Sequence, residues 1–303
     1  MGAGRLGSIP SSPTMSKEKT TMFPKTVEQK QDAITRLFTE LGLDIEKTNP
    51  NILRKLRLLN ERTKTFEDEQ KAIQIARALF DFYQNRYPAE SFSESEQKTV
   101  LVGTAFTDIG KTGPVNATPE EEELVLDIYG VENVIQPEKI TVREFLTSFL
   151  PENIEKKLSV LEGIGINPDV TMRQFYNMHS RWTLEIISGD GVPLEAVAAA
   201  AAHHLLEGVN PDDIIGNDSR FTRYFGENVA FDRAEKLIII LDKYDAARRR
   251  SGKNHKEAIE FVKNRIKSNP NFTEDGEFEK LLDNLDAMIS ANSDIYPERN
   301  KTP

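Results

Sequence analysis

The spacing of apolar residues constrains this chain more than any other feature: from about Val27 onward it is helical, and no period-2 run of useful length interrupts it. Ile34, Leu37, Phe38 and Leu41 follow the i, i+3, i+4, i+7 rule, and Gly42 provides a stop. Leu53, Leu56 and Leu59 predict a second helix; Ala72, Ile75, Ala76, Leu79 and Phe80 predict a third, closed by Pro88. The segment from Ser95 to Phe106 is apolar on one side, so Val100-Leu101-Val102 reads as the buried face of a helix rather than a strand. Further helices are expected over Thr118 to Ile128, Val142 to Phe149, Ile154 to Leu161 and Thr171 to Ile187, the last capped by Asp169 or Thr171. Pro193 opens an alanine-rich helix, Leu194 to Leu206, whose small side chains suit close packing. Phe231 to Arg250, Lys256 to Lys267 and Glu277 to Ile289 complete the set. The expected fold is therefore all-α, an irregular multi-helix bundle.

Composition narrows the partners. A net charge of -10 leaves no basic excess to meet a nucleic-acid backbone, so no nucleic acid is expected. A small phosphorylated ligand needs only a local cluster of cations or a metal, and stays open. With no cysteine in the chain, disulfides, zinc ribbons and thiol nucleophiles are excluded, which suits a reducing, cytoplasmic setting. No apolar run approaches the roughly 20 residues that span a bilayer, so no membrane is expected. Residues 1–22 are rich in Gly, Ser, Pro, Lys and Thr, lack an apolar signal-peptide centre, and are expected to form a disordered tail.

Histidine is scarce, with four in the chain, so its placement is informative. His203 and His204 are adjacent, and His179 precedes them by a helix and a turn. Neutral imidazole is the commonest transition-metal ligand near pH 7, and carboxylates complete such shells. Adjacent residues in mid-helix point about 100° apart, so both imidazoles reach one pocket only if it lies at the helix end. Gly208 marks such an end. The alternative is one core and one surface histidine.

Two acidic positions add to this. Asp108, in Phe106-Thr107-Asp108-Ile109-Gly110-Lys111, can meet a metal while Lys111 meets a phosphate; the alternative is an ordinary helix C-terminus with Lys111 set against the dipole. Asp242 ends the apolar run Leu237-Ile238-Ile239-Ile240-Leu241 and so lies at the edge of the core, where a carboxylate needs a cation. Asp245 reads as a salt-bridge or surface residue, His255 as a surface residue and Trp182 as core.

Together, Thr107-Asp108-Ile109-Gly110-Lys111, His179, His203-His204, Gly208-Val209-Asn210-Pro211 and Asp242-Lys243-Tyr244-Asp245-Ala246 resemble, in order and spacing, the HD-GYP branch of the HD metal-dependent phosphohydrolase superfamily. The resemblance covers roughly residues 65–267 and implies an HD-domain-like bundle. It divides the chain into a helical N-terminal extension at 23–64, the domain at 65–267 with a helical insertion at about 115–160, and a C-terminal helix and tail at 268–303.

The resemblance also implies a two-metal centre. One position would be held by Asp108, His179, His203 and His204, and the other by Asp242 with histidines this chain lacks. Thr107 stands where the signature His is expected, and Glu67, Asp68 or Glu69 occupies the stretch of the first ligand His. Val209-Asn210-Pro211 replaces Gly-Tyr-Pro. Asp68 is the candidate acidic replacement. By the same resemblance the metal would be iron, manganese or zinc, Asp108 and Lys111 would be catalytic, and Lys111, Arg249 and Arg250 would meet phosphate. Arg249 and Arg250 read equally as a solvated basic helix end. Two functions follow as expectations: a metal-dependent phosphodiesterase or phosphohydrolase acting on a cyclic dinucleotide or nucleotide, or an inactive signalling, regulatory or interaction module that keeps the fold.

Overall fold

The computed structural model describes residues 27–132, 134–189, 191–215, 231–249, 251–270, 272–273 and 275–292. The tail at 1–22, the last residues, 293–303, and Arg250 lie outside them. Among the described residues the architecture is all-α, with twelve α-helices and no strand; Thr141 and Thr171 form an isolated antiparallel bridge. No described helix is long and apolar enough to cross a membrane.

In chain order these are α1 (Val27–Glu40), α2 (Pro50–Arg62), α3 (Thr65–Arg86), α4 (Glu94–Phe106), α5 (Pro119–Gly130), α6 (Val142–Phe149), α7 (Ile154–Gly163), α8 (Met172–Ile187), α9 (Leu194–Ala201), α10 (Arg233–Arg249), α11 (His255–Ser268) and α12 (Gly276–Ala291). Local signals account for many of their starts. Ser93, Thr118, Thr141, Thr171 and Asn254 each accept the backbone N–H three residues on, while a Glu or Gln there reaches back to the cap. Thr171, rather than Asp169, is the cap of α8. Gly42 takes the left-handed conformation just past α1, where glycine costs least.

Helix α10 runs through the middle. Leu237 to Leu241 are five consecutive buried residues, so this stretch of the helix is apolar on all sides, and α10 packs against α3, α4, α9, α11 and α12. Close approach is bought by small residues. A Cβ at Gly103 on α4 would overlap the Ile238 side chain and meet the Ala196 carbonyl oxygen at 3.4 Å. On α9, Ala196 and Ala198 to Ala201 are wholly buried among α4, α8 and α10.

The N-terminal segment belongs to the same core. Phe38 of α1 meets Phe106 of α4 edge to face at 6.2 Å, and α2 packs on α3, α5 and the turn after α4. Lys55 of α2 is wholly buried; its ammonium donates to the Pro114 carbonyl at 2.9 Å and to Glu122 Oε1 of α5 at 2.6 Å. Arg54 reaches the same carboxylate. The insertion contributes α5, α6 and the start of α7, with α5 lying on the turn that carries Lys111.

Two expectations are corrected. The alanine-rich helix stops at Ala201 rather than Leu206: Ala202, His203 and His204 form a turn, followed by a 3-10 turn from Leu205 to Glu207 closed by left-handed Gly208. His255 is buried rather than on the surface. Its Nδ1 meets the Tyr244 hydroxyl at 3.0 Å and its Nε2 meets Asp286 at 2.8 Å, tying α10, α11 and α12 together.

Candidate metal centre

Three elements bring the site together. After α4 the chain turns at Asp108 into a 3-10 turn, Ile109–Thr112, which lies against α8. The Gly110 N–H donates to Thr183 Oγ1 at 3.1 Å, and that hydroxyl donates to the Thr107 carbonyl at 3.0 Å. A side chain at Gly110 would run into the His179 carbonyl, so glycine is required by close backbone approach. His179 is presented by α8, and His203 and His204 come from the turn that ends α9. That turn removes the mid-helix divergence of two adjacent imidazoles.

One ring nitrogen of each of His179, His203 and His204 lies within 4.8 Å of the others, a group that could hold a metal ion. His179 and His203 are buried. His179 Nε2 lies 2.9 Å from His203 Nε2, and Asp108 Oδ1 lies 3.3 Å from the first and 3.9 Å from the second. A circle through these three atoms has a radius of about 2.0 Å, the length of a bond from zinc to a nitrogen or carboxylate oxygen.

The far sides of both rings fix their tautomers. His179 Nδ1 faces the Tyr176 carbonyl, and His203 Nδ1 faces the Ala200 carbonyl at 2.6 Å. A carbonyl only accepts, so each Nδ1 carries a hydrogen, and Nε2 is the ring nitrogen that each imidazole can offer inward as a ligand. Burial, reinforced by His179 and Lys243 against the pull of Asp242, pushes the His203 imidazole down to about 3, so it is neutral near pH 7. Burial raises the Asp108 carboxyl, but the Lys111 ammonium, then His179 and His203, outweigh it and hold it well below the usual carboxylate range. Two imidazole lone pairs and a carboxylate therefore converge, a donor set suited to zinc, iron or manganese.

The other predicted residues divide. Lys111 is buried with its ammonium 2.5 Å from Asp108 Oδ2. Asp242 stands outside the histidine group; its Oδ2 is 2.8 Å from the ammonium of Lys243. Asp68 meets Arg249 at 3.0 Å and Lys71 at 3.4 Å, and Arg249 also bonds Asp245. Trp182 is core, set edge to face on Phe175.

Glu69, next to Asp68, faces the site instead. Its Oε1 accepts the Asp108 backbone N–H at 3.2 Å, and its Oε2 is buried without a hydrogen-bond partner. Burial and the Asp108 carboxylate push its carboxyl well up. Glu69, Ala72, Ile73 and Ala76 fall on one buried stripe of α3.

Tyr129 was not anticipated. It reaches in from α5, with its ring 5.9 Å from and nearly perpendicular to that of His179. Its hydroxyl donates to the Phe175 and Tyr176 carbonyls, each at 3.2 Å, so Tyr176 O receives both Tyr129 and His179. The insertion thus helps orient a candidate ligand. Comparison with family models, with curated proteins and with solved structures returns no match for this chain.

Proposed function

We propose that this chain is a divergent HD-GYP-like domain that binds one divalent ion through Asp108, His179 and His203 and acts as a regulatory module. The carrying observation is the convergence of two Nε2 lone pairs and Asp108 Oδ1 on a circle of metal-bond radius, with both outward nitrogens committed to carbonyls. Bound there, a divalent ion supplies Lewis acidity.

The regulatory reading is favoured by what happens to the remaining carboxylates. Lys243 pairs with Asp242 and Arg249 with Asp68, so cations of the chain already neutralise the carboxylates a second metal needs. Lys111 beside Asp108 favours a second reading, hydrolysis of a phosphodiester such as a cyclic dinucleotide, with Lys111 stabilising charge on the phosphoryl group.

Metal analysis after purification without chelator, followed by phosphodiesterase assays with added manganese or iron, tests both. About one ion per chain without turnover is expected from a single metal position lacking its second ion. Turnover would establish the second reading. A metal-free protein that also ignores added metal would remove both.

A further inference from the structure

Lys243 is a buried cation next to His204 of the histidine group. It is buried on α10, and its ammonium lies 2.6 Å from His204 Nδ1, 2.8 Å from Asp242 Oδ2 and 3.1 Å from Glu207 Oε2. The ammonium donates to His204 Nδ1 and forms ion pairs with the two carboxylates. An imidazole nitrogen and two carboxylate oxygens are also donors that a divalent transition metal takes. They come from two elements fixed by packing: the turn carrying His204 and Glu207, and α10 carrying Asp242.

His204 bears the mark of this arrangement. Its Nδ1 accepts from Lys243, so the hydrogen of the neutral ring resides on Nε2, the reverse of His179 and His203. His204 is therefore oriented toward the ammonium, although its ring lies only 4.1 Å from that of His203. The cluster holds two carboxylates against one ammonium, with Lys243 buried, His204 and Asp242 half-buried and Glu207 at the surface.

We infer that Lys243 is a built-in cation plugging a second metal site formed by His204, Asp242 and Glu207, and that it limits the chain to a single bound ion. The ligand this site would take is a divalent manganese, iron or zinc ion. The inference rests on the one-metal reading above for the wild-type count, while the plug itself concerns a different donor set.

The test counts zinc or manganese per full-length chain in the wild type and in Lys243→Ala and Lys243→Arg, by elemental analysis and by calorimetric titration. Wild type and Lys243→Arg should bind the same number, and Lys243→Ala one more; adding Asp242→Ala to Lys243→Ala should remove the extra ion. A Lys243→Ala count equal to wild type, or two ions in the wild type, would overturn the plug. A metal-free wild type with one ion in Lys243→Ala would sink the one-metal reading and leave the plug standing. Should Lys243→Ala not fold, the wild-type background still decides. His204→Ala should weaken the first ion by no more than about tenfold, the low end for a residue outside the coordination shell, against more than about a hundredfold for His203→Ala. Equal losses from the two would overturn the inference.

Discussion

Gly110 and His179 touch through their backbones: the 3-10 turn after α4 passes so near α8 that a Cβ on Gly110 would overlap the His179 carbonyl oxygen and stand 2.6 Å from the Thr183 nitrogen. Neither neighbour is a flexible side-chain tip that can move aside. Gly110→Ala should therefore destabilise the fold by about 3 kcal/mol, at the upper end for overpacking, and should weaken metal binding by shifting Asp108 relative to His179. Urea denaturation and metal titration of the variant check the two effects separately.

The histidines should separate by role. His179→Ala, His203→Ala and Asp108→Ala should each abolish metal binding, and should also abolish the rise in melting temperature that added metal gives the wild type. His255→Ala should leave metal content intact. It should still cost about 2 kcal/mol, because the buried Tyr244 hydroxyl loses its imidazole partner. Elemental analysis and thermal melts with and without chelator distinguish these patterns.

Lys55 and Glu122 form a buried pair at 2.6 Å. Lys55→Ala leaves the carboxylate with Arg54 alone and frees two carbonyls, so a loss of about 3 kcal/mol is expected. Replacing both partners, Lys55→Met with Glu122→Leu, should recover most of that loss, since an apolar pair carries no desolvation cost. Chemical denaturation of the two variants against the wild type provides the comparison.

Burial pushes the Glu235 carboxyl up to about 7 from its ordinary 4.5. The folded chain then holds a proton that the unfolded chain releases as pH rises past 4.5. This contribution is complete below about pH 4.5 and is lost as pH rises through about 7. The difference corresponds to about 3 kcal/mol. Glu235→Gln should remove it, so the variant should gain on the wild type by about that amount between pH 4.5 and 7.5, measured by denaturant midpoints.

The helices were legible because their apolar phase and capping residues are local. The end of α9 was not. Five alanines carry no stop signal, and in the turn that replaces the last part of the helix His203 and His204 meet partners on α8 and α10. The histidine grouping was legible from scarcity and order. The acidic partner on α3 could not be picked by phase, since Asp68 and Glu69 are adjacent and both buried; their partners separate them, Glu69 meeting the Asp108 N–H and Asp68 meeting Arg249. His255 was misread because its partners, Tyr244 and Asp286, lie on separate helices and give no motif. Tyr129 was hidden for the same reason, approaching His179 from 50 residues away in sequence.

The buried lysine of α2 has a consequence for how the chain is made. Lys55 finds its carboxylate 67 residues later, on α5. Until Glu122 has been made, the Lys55 ammonium has no carboxylate on α5 to offset the cost of burying it. Because Lys55 also holds the Pro114 carbonyl, just past the Lys111 turn, one long-range charge pair ties the N-terminal helices to the segment that carries Asp108.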